Sequence, residues 1–413
     1  MLSLVVASQP LMKTISIQGI PLYHQPAHAF PGTDEHTATN SSLACASTLL
    51  TSPTDASLTD FLRLSLGKLD LSLVPPRKEH PSGPSASGFD YQELGRRSLL
   101  YKYEAECSCV ADNLFVSSEV VARKRDLLLE HGITHIVNTI GSTCPIAFPE
   151  TFTYHTIQLL DSPKEDILPI LYDVIAFIDG ARNQGGNVLV HCSQGVSRSA
   201  TLAIAYLMWH QNTSYEETLA LVKAARAIAN PNIGFTCQLL QWYRRRAQPL
   251  APRVGPRPLS PMTSSPLPSL RVYRIAPHST FKPTYLVPKP ILPHPVGEKL
   301  LAILDDRVVL VLHHLDGVYV WRGKAADDVA CEAGLRAAAH LGRFELAGAT
   351  IVVCSGSEPE PFWRELGRPP GEQPGEGWQP GECAAYDEDV DLYQRGLTGW
   401  TQAMSMSFKE NIT

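Results

Sequence analysis

The stretch that most constrains the fold is "NVLVHCSQGVSRSATLAIAYLMWH", residues 187–210. A short apolar run with β character enters a polar loop containing one glycine, and the loop enters a long apolar segment with helical spacing. A buried strand feeding a helix through a tight turn is the repeating unit of a layered α/β domain. It also puts the loop at a helix N-terminus, where unpaired backbone N–H groups and the helix dipole both favour an anion.

The flanking sequence continues the alternation. "ADNLFV" reads as a strand, "SSEVVARKRDLLLEHG" as a capped helix closed by Gly132, and "ITHIVN" as a buried strand. "ILYDVIAFIDGARNQ" precedes the loop as an amphipathic helix, and Ser214-x-x-Glu217 forms a capping box ahead of "TLALVKAARAIA". These elements predict an α/β domain over residues 104–247. Residues 248–269 are proline-rich and read as an extended linker, which predicts two domains that work independently. Beyond it, "KLLAIL", "RVVLVLHH" and "GVYVW" are strand candidates, with Asp316-Gly317 as a hairpin turn, then a helix in "DDVACEAGLRAAAHLG" and a strand in "ATIVVC". A smaller α/β domain over 270–367 follows from these. Residues 1–103 and 368–413 read as mostly disordered tails, although "FLRLSLGKLDLSLV" alternates enough to be an isolated strand or a docking segment.

Composition narrows the function. A net charge of −6 with 18% charged residues supplies no basic field for nucleic acid. No apolar run is long enough to span a membrane, and the N-terminal patch lacks the basic start of a secretory signal. Nine cysteines, an odd number without paired spacings, point to reduced thiols in an intracellular compartment; the expected location is the cytoplasm, with the nucleus as an alternative. Neither a metal nor a cofactor is expected.

Within the loop, a thiol at a helix N-terminus gives up its proton readily, which makes Cys192 a nucleophile candidate. Residues Ser193, Gln194, Gly195, Val196, Ser197 and Arg198 form an anion cradle: Gly195 lets the main chain approach closely, and Arg198 presents a planar fork to two phosphate oxygens. Ser199 can hydrogen-bond the sulfur and ease its departure, and His191 orients the loop from behind. The alternative, a buried cysteine beside a capping turn, does not account for a glycine three residues and an arginine six residues after the cysteine, with a serine next.

"HCSQGVSRSA" resembles the signature of the cysteine-dependent protein phosphatases, and the surrounding residues look like their dual-specificity branch. Pro231, Asn232, Phe235, Gln238 and Leu239 match a second segment of that family, and Asn138 matches the family asparagine that bonds the phosphate loop. "DSPKEDILPILYDVIAF" and "SLRVYRIAPHS" look like the plant-type mitogen-activated protein (MAP) kinase phosphatases, which carry a gelsolin-like domain after the catalytic one; "GVYVWRGKAA" resembles a gelsolin core strand. The resemblance implies a phosphatase fold, a central sheet flanked by helices, followed by a gelsolin-like α/β domain. It also implies a phosphocysteine intermediate and phosphorylated MAP kinases as substrates. The gelsolin calcium ligand has no counterpart in "PHPVGEKLLAIL", so the expectation is a module that binds neither calcium nor actin.

The reaction needs an acid opposite Cys192 to protonate the leaving oxygen. Ser162-Pro163-Lys164-Glu165 reads as a capping box, with Asp166 or Pro169 as alternative helix starts, so Glu165 and Asp166 have structural work while Asp161 stays free in the loop. Asp161 also matches the family's acid. Ser193, Gln194, Val196 and Ser197 carry no charge, which suits a singly phosphorylated protein site better than an inositol polyphosphate head group. A lipid phosphatase and a phosphoprotein-binding scaffold without turnover are the rival readings; the presence of both Cys192 and Arg198 counts against the scaffold. Arg96-Arg97-Ser98-Leu99-Leu100-Tyr101 resembles a kinase-docking motif. Ser52-Pro53, Ser260-Pro261 and Ser265-Pro266 suit a proline-directed kinase. "QLLQWYRRR" can meet calmodulin, although charge compensation at a helix C-terminus explains its arginines equally well.

Overall fold

A computed structural model describes residues 4–6, 13–15, 91–247, 270–292, 301–366 and 378–399. The segment "FLRLSLGKLDLSLV", the linker 248–269 and the three Ser-Pro sites lie outside the described residues.

The first sheet has the order β3-β4-β7-β5-β6, built from β3 (Ser108–Ala111), β4 (Leu114–Ser118), β5 (Ile133–Asn138), β6 (Thr153–Thr156) and β7 (Asn187–Cys192). All pairs are parallel except the β3–β4 edge. β7 is central, with His191 in register with Ser117 on one side and Asn138 on the other. Its apolar residues Val188, Leu189 and Val190 are fully buried, as a strand covered on both faces requires. Strand β7 ends at Cys192 and helix α5 (Arg198–His210) begins six residues later, so the polar loop sits at the carboxyl edge of the sheet, where α/β folds hold their ligands. Helix α5 is buried from Ser199 to Met208, which anchors the loop from its C-terminal side.

Around this sheet lie α1 (Tyr91–Glu104), two short helices α2 (Glu119–Ala122) and α3 (Arg125–Glu130), then α4 (Leu171–Asn183), α6 (Tyr215–Ala225) and α7 (Ile233–Ala247). The predicted capping box is present, with Ser214 and Glu217 bonding each other's backbone. The single helix expected over "SSEVVARKRDLLLEHG" is two helices, because Lys124 is extended and the Glu119 N–H is given to Ser193 O, tying the first turn to the polar loop. Helix α1 falls in the stretch read as a tail. Its end is held by Ser118 Oγ, which donates to Glu104 O, and just beyond it Ser117 Oγ donates to Glu106 O.

The second sheet has the order β2-β1-β12-β11-β10-β8-β9: β1 (Leu4–Val6), β2 (Lys13–Ile15), β8 (Leu270–Pro277), β9 (Leu286–Pro290), β10 (Val309–His314), β11 (Gly317–Arg322) and β12 (Ala349–Cys354). Helix α8 (Asp328–Phe344), capped by Asp327, packs on it. The expected β10–β11 hairpin forms, but its turn is Leu315-Asp316, one residue earlier, with Gly317 already in β11 and paired with His314. Of "KLLAIL", residues 301–304 are described, and Leu301 to Ile303 form a 3-10 turn instead of a strand, the places beside β10 being taken by β8 and β11. Helix α9 (Glu360–Glu365) follows β12, and helix α10 (Asp387–Leu397), again in a stretch read as a tail, packs on β8.

The two sheets do not work as separate bodies. One continuous core joins Tyr172 and Trp242 of the first to Tyr273, Val287 and Phe344 of the second. Apolar surface on α4 and α7, read from sequence as belonging to one domain, is shared by both.

Candidate active site

The loop from Cys192 to Arg198 is built by fixing its carbonyls on the outside. Ser193 O accepts from Glu119 N (3.2 Å), Gln194 O from Arg226 Nη2 (2.9 Å), Gly195 O from Arg226 Nε (2.6 Å) and Val196 O from Asn230 N (2.8 Å). In a trans peptide the C=O and N–H lie in one plane and point in opposite directions, so four outward carbonyls turn the intervening N–H groups inward as an anion cradle. Gly195 has φ +69°, and a Cβ there would come within 2.4 Å of Arg226 Nη2 and 2.7 Å of the Ser117 carbonyl. Only glycine fits.

Cys192 is 2% exposed at the bottom of this cradle. Its sulfur accepts from Gly195 N (3.2 Å) and from Ser199 Oγ (3.2 Å). Donors aimed at the sulfur stabilise the charge that develops on it as it leaves phosphorus. Arg198 lies alongside, with Nη1 on Leu159 O (3.1 Å), Nη2 on Ser193 Oγ (3.2 Å) and Nε 3.7 Å from Asp161 Oδ2. His191 is buried behind the loop, and burial pulls its pKa down to about 4, so it is neutral; its carbonyl accepts from Thr139 N and Oγ1.

Asp161 faces the loop. Its Oδ1 accepts from Ser197 Oγ (2.7 Å) and from Asn232 Nδ2 (3.0 Å). The segment carrying Asp161 is held from above by α7. Gln238 Nε2 donates to Glu165 O (2.7 Å), Gln238 Oε1 accepts from Ile167 N (2.9 Å), and Gly234 lies so close that a Cβ would meet Pro163 O at 2.0 Å. The expected capping box at Ser162 is a turn without a helix. Asp166 instead accepts from Leu168 N (3.0 Å) at the start of the 3-10 turn Leu168–Ile170, and burial raises the pKa of both Glu165 and Asp166.

Two placements differ from expectation. Asn138 stands beside the loop, but its side chain bonds Cys144 O (2.7 Å) and Ile140 N (3.0 Å), bracing the 140–144 turn rather than the phosphate loop, because the strand pairing with His191 directs it there. "QLLQWYRRR" has its apolar face in use: Trp242 is buried and Arg245 pairs with Glu345 at 2.9 Å, so calmodulin would have to pull α7 from its seat. Sequence reasoning missed Arg226. It is completely buried, and its fork also reaches Tyr103 O (3.1 Å) and Ser108 Oγ (3.1 Å), so it staples three segments under the loop. Its one signal was an arginine among alanines at a helix end.

Residues 114–245 match the family described as "Dual specificity phosphatase, catalytic domain", and this span includes every residue of the cradle. Residues 114–245 carry a dual-specificity phosphatase catalytic domain. It is 37% identical over 341 residues to the protein-tyrosine-phosphatase MKP1 of Arabidopsis thaliana, covering 80% of this chain and 40% of that one. It is 38% identical over 148 residues to dual specificity protein phosphatase 1 of Homo sapiens, covering 36% and 39%. The chain thus spans about 40% of the length of these curated relatives. A solved human tyrosine phosphatase-like serine/threonine/tyrosine-interacting protein is 33% identical, with 35% of this chain and 100% of that one covered and a TM-score of 0.34. The family match starts at β4 and stops two residues before the end of α7, so the second sheet lies beyond it.

Proposed function

We propose that this protein hydrolyses phosphotyrosine and phosphoserine/threonine in proteins through a phosphocysteine intermediate. The observation that carries the reading is the sulfur of Cys192 receiving hydrogen bonds from Gly195 N and Ser199 Oγ at a helix N-terminus, with Arg198 beside it. The thiolate attacks phosphorus while the loop N–H groups and the Arg198 fork hold the three equatorial oxygens. As the P–O bond to the side chain breaks, Asp161 gives its proton to the leaving oxygen. Water then attacks the phosphocysteine, Asp161 takes the water's proton, and Ser199 stabilises the departing sulfur.

Doubly phosphorylated MAP kinases are the substrates this reading favours, supported by the kinship with MKP1 and by the uncharged loop side chains. Leu99 and exposed Tyr101 of the docking-like motif lie on α1, next to the segments that Arg226 staples. The second domain reads as gelsolin-like on "GVYVWRGKAA", whose first six residues form β11, and it takes neither calcium nor actin in this proposal. We place the protein in the cytoplasm and nucleus, where such kinases act. Phosphate release from a doubly phosphorylated kinase activation loop, measured against a phosphoinositide, tests the reading. Faster release from the phosphoinositide would favour the lipid alternative.

A further inference from the structure

The segment carrying Asp161 is bounded by β6 before it and by the 3-10 turn and α4 after it, and the second domain holds both boundaries. On the entry side, the ring of His155 in β6 packs 5.9 Å from that of Tyr285. On the exit side, Pro169 of the 3-10 turn shares an apolar cleft with Pro288 and Pro290 of β9. One turn into α4, Asp173 accepts from Tyr285 OH (2.7 Å) and pairs with His340 (3.2 Å) and Arg336 (3.3 Å). Burial alone would raise the pKa of Asp173; the hydrogen bonds and charges of His340, Arg336 and Tyr285 outweigh it and hold the group at about 2.

A second link runs through Glu345, which is buried just after α8. It accepts from Tyr172 OH of α4 (2.6 Å), from Arg245 of α7 (2.9 Å) and from Arg271 of β8 (2.7 Å). Trp242 Nε1 of α7 donates to the same Tyr172 hydroxyl at 3.2 Å. Glu345 therefore joins α4, which the acid segment runs into, to α7, whose Gly234 and Gln238 hold that segment from above.

We propose that the second domain positions the proton donor: Glu345 and Tyr285, which never touch substrate, fix the frame from which Asp161 reaches the leaving oxygen. The proposal rests on the phosphatase reading above. General acid catalysis depends on hydrogen-bond reach to the leaving atom, so loosening the frame costs proton transfer while leaving the thiolate and its cradle as they are. The loss grows with the basicity of the leaving group. A purely structural contact would instead lower the melting temperature and leave the leaving-group dependence unchanged.

The test uses the full chain with Glu345→Gln and, separately, Tyr285→Phe, which removes one hydroxyl and carries the test if Glu345→Gln melts at the assay temperature. Initial rates are taken on a nitrophenyl phosphate, whose phenolate leaves unprotonated, and on a phosphotyrosine peptide. The expected result is a fall of roughly tenfold in kcat for the peptide, at the low side of what acid catalysis supplies, with KM unchanged and the nitrophenyl rate within about twofold. Equal losses on both substrates, or no loss on either in a folded variant, would overturn the proposal. Failure of the unmodified chain to hydrolyse the nitrophenyl phosphate would instead sink the phosphatase reading itself.

Discussion

Ser197 Oγ donates to Asp161 Oδ1 at 2.7 Å and accepts from Asn232 N at 3.2 Å. One hydroxyl in the phosphate loop thus ties the acid segment and the start of α7 to the cradle. Ser197→Ala removes this tie without touching Cys192. We expect kcat on a phosphotyrosine peptide to fall several-fold while turnover of a nitrophenyl phosphate holds, since only the step that needs the acid loses its geometry. Side-by-side rates on the two substrates check it, and a parallel loss on both would refute it.

Asp161→Asn should lose roughly 10² in rate or more on alkyl and tyrosyl phosphates, within the range general acid catalysis supplies. It should barely slow a nitrophenyl phosphate. Glu165→Gln should keep the wild-type rates on both substrates, because the Glu165 main chain, through Gln238, is what the structure uses. Leaving-group dependence that appears in Glu165→Gln and not in Asp161→Asn would move the acid assignment.

Gly195→Ala places a methyl group within 2.4 Å of Arg226 Nη2 at a backbone φ of +69°. Strain of this kind costs about 1–3 kcal/mol, and the relief available is to push the Arg226 fork off Gly195 O and Gln194 O. Activity should fall far more than stability, since the cradle's shape depends on those carbonyls facing out. Arg226→Lys should reproduce the loss, because an ammonium cannot span the separate carbonyls that the fork reaches. Thermal melts paired with phosphate or vanadate affinity separate the two effects; normal anion affinity in both variants would contradict them.

Stability should decline on the acid side. Burial holds the pKa values of His191, His278 and His313 each at about 4. An unfolded histidine titrates near 6.5, so below that pH the unfolded chain takes up protons that the folded one refuses, and stability present above pH 6.5 drains away as pH falls toward about 4. Asp173 extends the loss: held at about 2, it stabilises the fold fully above the usual aspartate value and loses that contribution as pH falls through its own. A melting temperature that drops steadily from about pH 7 to 4.5 is the expected result; a flat profile would show that these groups are not buried neutral or paired as described.

That Cys192, Arg198, Ser199 and Asp161 come together around one loop was legible in the sequence, because the first three lie in one contiguous stretch and the fourth sits between a strand and a helix with no capping duty. Arg226 was not legible. Its role depends on carbonyls at Tyr103, Gln194 and Gly195, brought together only by folding. Helix α1 and helix α10 were hidden for a different reason: each is flanked by stretches whose composition reads as tail, which masked even the amphipathic pattern by which α10 buries Leu392 and Tyr393. The expected strand in "KLLAIL" had the right apolarity, yet β8 had claimed the neighbouring edge of β10. The shared core through Tyr172, Trp242 and Phe344 shows the limit most clearly, since no pattern within α4 or α7 says which domain their apolar faces cover.

The central claim is that phosphate passes through Cys192. The most direct measurement is to quench the full chain in acid during turnover of a doubly phosphorylated activation-loop peptide and analyse the peptide carrying residues 187–198 by mass spectrometry. The account predicts a phosphate on Cys192, absent in Cys192→Ser, which should bind the substrate and release almost none of its phosphate. Turnover that proceeds with no phosphorylated Cys192, or that survives Cys192→Ser above a few per cent of the wild-type rate, would contradict it.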